Sequence, residues 1–196
     1  MTKKYSRAIA MTALATATVL TLTACVMPFG MGGAPSTGGD GEQNAADIMF
    51  VQMMIPHHEQ AIEMSEIILA KDGVDPEVAE LAEQIRAAQG PEIALMERWL
   101  DDWGLPSMSG MDHGGMDHGG MEGMLSDEQM AELESATGSQ GSPLFLEFMI
   151  EHHEGAVDMA EDVIDDGRSV DVRQLAEQII TSQTAEMATM RSLLAR

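Results

Sequence analysis

Two stretches of this chain repeat each other at a spacing of about 95 residues. Residues 50–59 read FVQMMIPHHE and match FLEFMIEHHE at 145–154, and farther on LAEQI at 81–85 recurs at 175–179. The offset falls from 95 to 94 between the two matches, so the second copy is shorter by one residue. A repeat of this size indicates two similar units that each expose an apolar face and must pack together to bury it.

Each copy has the pattern of two helices joined by a short turn. Apolar residues recur at helical spacing throughout, and no segment alternates apolar and polar residues as a strand would. The predicted long helices are 45–70, 75–103, 142–166 and 170–195, with Ser142-Pro143 starting the third, and Ser126 with Gln129 caps a short helix that ends at Ala136. We therefore predict an all-α protein, a four-helix bundle built from two repeated helical hairpins.

The N-terminal region has the features of an exported lipoprotein. Residues 1–24 combine a basic start with an apolar stretch that is too short to span a membrane, as in a signal peptide. Their last three residues and Cys25 read LTAC, which resembles a lipobox and would place a lipid on Cys25, the only cysteine. An ordinary secretory signal is the alternative. Residues 25–44 are rich in Gly, Pro and Ser and are predicted to form a flexible tether. We expect a cell-surface or periplasmic protein that is held at the membrane only by its lipid.

The net negative charge of the chain limits the classes of molecule that it can bind. Removal of residues 1–24 leaves seven basic residues against 33 acidic ones. Such a chain repels nucleic acid and attracts cations, although solubility outside the cell would also explain its acidity. With no second cysteine, any soft metal ligand has to be methionine.

The repeated histidine pairs lie on the apolar faces of their helices. Alternating steps of four and three residues connect Phe50, Met54, His57, Ala61, Met64 and Ile68 in one copy, and Phe145, Met149, His152, Ala156, Met159 and Val163 in the other. This spacing indicates a buried helix face. The stripes through His58 and His153 are apolar too, so the spacing leaves open which histidine of each pair binds a ligand. Glu59 and Glu154 are predicted to face water.

The second helix of each hairpin places polar residues on a buried stripe. These are Gln89, Glu92 and Met96 in the first copy, and Gln183, Glu186 and Met190 in the second. A buried glutamine or glutamate is costly without a partner. We predict that the two glutamates and glutamines orient a histidine or bind a cation, and that the two methionines complete a soft ligand set.

Thioether and imidazole ligands without cysteine select the metal. They suit Cu(I) or Ag(I), and histidine with carboxylate also accepts Cu(II). Zinc sites rarely use methionine. A ferritin-like di-iron site needs Glu-x-x-His, but Met54 and Met149 stand three residues before His57 and His152. The alternative is that these side chains are ordinary core residues.

A loop at 104–124 between the two copies is rich in Gly, Met, Asp and His. Its predicted metal ligands are Met111, His113, Met116, His118 and Met121. Flexible glycines would let these side chains converge on one ion, although low-complexity drift would also produce this composition.

Taken together, MIPHHEQAIEM at 54–64 and MIEHHEGAVDM at 149–159, each followed by LAEQI and Gln-x-x-Glu, closely resemble the bacterial family of domain of unknown function 305. The resemblance covers nearly all of residues 45–196 (repeat 1 at 45–103, repeat 2 at 142–196). It implies a ferritin-like four-helix fold, export, and copper binding linked to copper tolerance. Glu151 replaces the motif proline in the second copy.

The sequence predicts a copper-binding protein that is not an enzyme and that sequesters copper or hands it to a transfer partner. The alternatives are a metal-dependent oxidase that uses the bundle core and a structural lipoprotein with core histidines.

Overall fold

A computed structural model describes residues 42–107 and 123–196 of the chain, and its regular elements there are all helices. They are α1 (Ala45–Leu69), α2 (Pro76–Trp103), α3 (Asp127–Ser135), α4 (Gly138–Asp166) and α5 (Val170–Leu194). The predicted all-α bundle of two repeated hairpins, α1–α2 and α4–α5, is confirmed. None of these helices is long and apolar enough to cross a membrane. The signal peptide, Cys25 and the predicted loop ligands Met111, His113, Met116, His118 and Met121 lie outside the described residues.

The predicted start of the third long helix was wrong by four residues. It begins at Gly138, and Gln140 accepts a hydrogen bond from the backbone N–H of Thr137 to close the first turn. Pro143, which was expected to start the helix, lies inside it. The hydroxyl of Ser142 donates to the carbonyl of Gly138, so this turn keeps a hydrogen bond close to the proline. A capping box therefore determines the start of α4 here, and the proline does not.

The two hairpins pack through their first helices. α1 contacts α2, α4 contacts α5, and α1 contacts α4, whereas α2 and α5 barely touch. One core cluster joins the first half of α1 to the second half of α4, and the other joins the remaining halves. The two helices therefore run antiparallel, and a pseudo-twofold axis passes between their midpoints.

Equivalent contacts tie each hairpin to the other at both ends of this axis. The buried carboxylate of Asp47 in α1 accepts hydrogen bonds from the backbone N–H groups of Arg168 and Ser169, where α5 starts. Ser142 in α4 occupies the matching position, and its hydroxyl accepts from the backbone N–H of Asp75, where α2 starts. These contacts fix the register of α1 against α4 and so align their midpoints.

Candidate metal centre

His57 and His152 meet at the pseudo-twofold axis in the middle of the bundle. Both side chains are fully buried. Their ring centroids are 3.7 Å apart, and the ring planes are inclined by 37°. Because each comes from the equivalent position of its repeat, the duplication places two imidazoles against each other.

The other histidine of each pair turns toward the second helix of its own hairpin. Nε2 of His58 lies 2.7 Å from Oε2 of Glu92, and Nε2 of His153 lies 2.7 Å from Oε2 of Glu186. The histidines are fully buried and the glutamates about one-fifth exposed. Because an ionised carboxylate can only accept, a neutral imidazole in this position donates from Nε2 and keeps a lone pair on Nδ1.

The Nδ1 atoms of His58 and His153 are buried and have no hydrogen-bond partner among the described residues. A metal ion is one group that would use such a lone pair. A histidine that binds a metal through one nitrogen commonly donates its other N–H to a carboxylate, which fixes the ring and makes the ligand nitrogen more basic. The two His–Glu pairs therefore share an arrangement that is common among metal-binding histidines.

The surroundings of His152 and His153 favour the uncharged form of both imidazoles. Burial lowers the pKa of His152 well below its usual value, and the imidazoles of His57, His153 and His58 lower it further, against a small opposing effect of the His57 backbone. Burial also lowers the pKa of His153, although the hydrogen bond and negative charge of Glu186 oppose the shift. Neutral imidazoles are the form that binds a cation.

Five of the six predicted helix methionines are fully buried in the two core clusters. Met54 and Met96 belong to one core cluster, and Met64, Met149 and Met190 belong to the other. Within residues 42–107 and 123–196, no three His, Cys, Asp or Glu side chains are arranged to hold a metal ion. Beside imidazole nitrogen, methionine sulphur is the other soft ligand type in these two clusters.

Met159, which was predicted to face inward like Met64, packs against a core cluster but is less buried than Met64. Met64 is fully buried, whereas Met159 is partly exposed and lines a surface groove between α1 and α4. The reason is that α3 packs on α1 and α4 at the Met64 end, and no described helix covers the Met159 end.

The glutamines and the outer glutamates also have clear positions. Gln89 and Gln183 are buried, and the side-chain carbonyl oxygen of each has no hydrogen-bond partner in the described part of the chain. Glu154 is exposed, as predicted, and pairs with Arg191 at 2.7 Å. Glu59 is partly exposed.

Sequence reasoning missed the role of Gln60. Its side-chain amide binds the backbone of Leu125 twice, accepting from the N–H at 2.8 Å and donating to the carbonyl at 3.0 Å. The matching residue in the other repeat is Gly155. A Cβ on Gly123, which has φ of +79°, would lie 2.9 Å from the Cα of Gly155 and from the carbonyl oxygen of His152. The two motifs differ at this position, with Gln60 in the first and Gly155 in the second. This difference is the sequence signal that could have indicated the contact with Leu125.

The profile of the family described as Domain of unknown function (DUF305) matches residues 47–194. The chain belongs to the DUF305 family. No curated protein matches it in sequence.

Solved structures of the same fold share about one-third of their residues with this protein. A DUF305 fragment from Deinococcus radiodurans is 33% identical, with a TM-score of 0.69 over 78% of this chain and 97% of that one. A proposed secreted DUF305 protein from Streptomyces coelicolor is 37% identical, with a TM-score of 0.66 over 76% and 91%. CopM in its Cu(I)-bound form is 31% identical, with a TM-score of 0.60 over 75% and 94%. CopM structures with Ag and with Cu(II) are similar to this chain as well.

Proposed function

We propose that this protein binds copper at the centre formed by His57, His58, His152 and His153. The observation that carries the proposal is the pair of buried histidines whose Nε2–H groups are held by Glu92 and Glu186. Each leaves a buried Nδ1 lone pair without a hydrogen bond to the described residues. The similarity to CopM, which was crystallised with Cu(I), Cu(II) and Ag, supports the choice of metal.

The surrounding residues favour the soft, monovalent forms of the metal. Met54, Met64, Met96, Met149 and Met190 are fully buried in the two core clusters on either side of the histidines. Thioethers and neutral imidazoles bind Cu(I) and Ag(I) well, and the carboxylates of Glu92 and Glu186 would help the same centre to accept Cu(II).

In this proposal the protein is not an enzyme: it sequesters copper or passes it to a protein partner. It is exported, with residues 1–24 as signal peptide, Cys25 as lipid attachment site and 25–44 as tether to the 45–196 domain. Export agrees with its similarity to the proposed secreted Streptomyces protein. The ligands of the Met- and His-rich loop would capture the metal first, and that role remains a prediction.

Copper binding can be tested by titrating the mature protein with Cu(I) against a chromophoric chelator. We expect the protein to compete successfully with the chelator and to remove Cu(I) from it. Replacement of all four histidines by Asn should remove the tightest class of site and leave the weaker loop sites. As a matched control, Gln178→Asn changes an exposed residue of α5 and should leave the affinity unchanged. An unchanged affinity in a folded histidine variant would contradict the proposal.

A further inference from the structure

The groove that contains Met159 presents three thioethers to solvent. It lies between the first half of α1 and the second half of α4 and has a volume of about 480 Å³. Met49 and Met53, one helical turn apart on α1, line one wall, and Met159 lines the other. Met49 is 60% exposed. Met53 and Met159 are partly exposed, whereas the core methionines are fully buried or nearly so.

Acidic residues accompany the three methionines. Asp162 and Asp166 follow Met159 on the same wall of the groove, and both are exposed. None of the described residues that line the groove is basic. The groove thus combines soft neutral ligands with negative charge, which attracts a cation and balances it once it is bound.

The pseudo-twofold axis provides an internal comparison, because it relates this groove to one at the other end of α1 and α4. The positions equivalent to Met49 and Met53 are occupied by Leu144 and Phe148. Those equivalent to Asp162 and Asp166 are occupied by Ile67 and Lys71. Of the three methionines and two aspartates, only Met159 keeps its residue type, since it corresponds to Met64.

That second groove is covered by α3. Leu133 is fully buried there in the same cluster as Leu144, Phe148 and Ile67. The Nζ of Lys71 donates to the backbone carbonyl of Glu134 at 2.7 Å. Where a helix covers the groove, its lining is aromatic and aliphatic and its charged residue is basic. Where no described helix covers it, the lining is methionine and aspartate.

We propose that Met49, Met53 and Met159, with Asp162 beside them, form a second site that binds a soft monovalent cation, Cu(I) or Ag(I), at the protein surface. The site contains no histidine, so the cation does not compete with a proton for its sulphur ligands. The proposal extends the copper-binding function to a solvent-accessible position on the same two helices as the histidine centre.

The test is an Ag(I) titration of the mature protein labelled with ¹³C at the methionine methyl groups. The methyl signals of Met49, Met53 and Met159 should shift together and saturate at one common equivalent. Single Met→Leu changes assign the signals, and the volume-conserving change is mild at these partly exposed positions. In the M49L/M53L/M159L variant, the number of bound Ag(I) ions should fall by one.

Met130 on α3 provides the matched control, since it is a partly buried methionine at the covered groove. The M130L variant should bind as much Ag(I) as the unmodified protein. Stationary signals of the three groove methyls at saturating Ag(I), or an unchanged ion count in the triple variant, would overturn the proposal. The histidine centre is observed separately through its ring C–H signals. Failure of the groove site is therefore distinguishable from failure of the proposed function.

Discussion

The imidazoles of His57 and His152 lie 3.7 Å apart across the pseudo-twofold axis, and each comes from the same position of its repeat. The adjacent histidines, His58 and His153, instead face α2 and α5. The two members of a His-His pair therefore have different roles. One meets its counterpart across the hairpin interface, and the other meets a glutamate of its own hairpin.

The glutamate that holds His153 should control copper affinity. Glu186→Gln removes the negative charge that fixes the Nε2 proton, and loss of such a partner typically lowers metal affinity by about 10- to 100-fold. Glu154→Gln is the matched control, because Glu154 is next to His153 in sequence but is exposed and pairs with Arg191. Competition titration with Cu(I) measures both. Equal affinities for the two variants would show that the His153–Glu186 contact does not position a ligand.

The metal-free protein should lose stability as the pH falls below about 6.5, the usual pKa of histidine. Burial lowers the folded-state pKa of His152 and of His153, so the unfolded chain binds more protons in this range. Each histidine then contributes a slope of up to about 1.4 kcal/mol per pH unit to the free energy of unfolding, down to its folded-state pKa. Urea denaturation between pH 5 and 8 measures this slope.

The His152→Asn variant separates this effect from the titration of the many carboxylates. Its free energy of unfolding should change less steeply between pH 6.5 and 5 than that of the unmodified protein. Parallel curves for the two proteins would mean that His152 titrates normally in the fold.

Gln60 should stabilise the segment that enters α3. Gln60→Ala leaves the backbone N–H and carbonyl of Leu125 without their partner, and Leu125 is itself buried. We expect a loss of about 1–3 kcal/mol in the free energy of unfolding. Gln52→Ala is the control, since Gln52 makes one exposed hydrogen bond to the carbonyl of Pro106 at 3.3 Å, and it should cost less. Equal losses would assign the effect to the removal of a glutamine from α1 and not to its contact with Leu125.

The sequence predicted the bundle and the inward direction of both histidine pairs because periodicity records which side of a helix is buried. It did not separate His57 from His58, since α1 is covered on two sides, by α2 and by α4, and both stripes are therefore apolar. Tertiary packing decides which neighbouring helix each of these two stripes of α1 contacts, and the sequence pattern does not record it.

The differences from expectation at α4 and at Met159 have separate physical origins. Pro143 was expected to start α4, but the capping residues upstream allowed the helix to begin at Gly138. Met159 was expected to face inward because it shares a helical stripe with Met149 and His152, and it packs against the core but stays partly exposed. A duplicated sequence predicts equivalent positions on the helix, but it does not predict that α3 covers only one of the two ends.

The most direct test of the copper centre is a histidine ¹⁵N spectrum of the mature protein recorded with and without Ag(I) as a spectroscopically silent substitute for Cu(I). We expect the Nδ1 signals of His58 and His153 to shift on metal binding, while their Nε2 atoms stay protonated because Glu92 and Glu186 accept their hydrogen bonds. Unchanged Nδ1 signals of both histidines at saturating Ag(I) would contradict it.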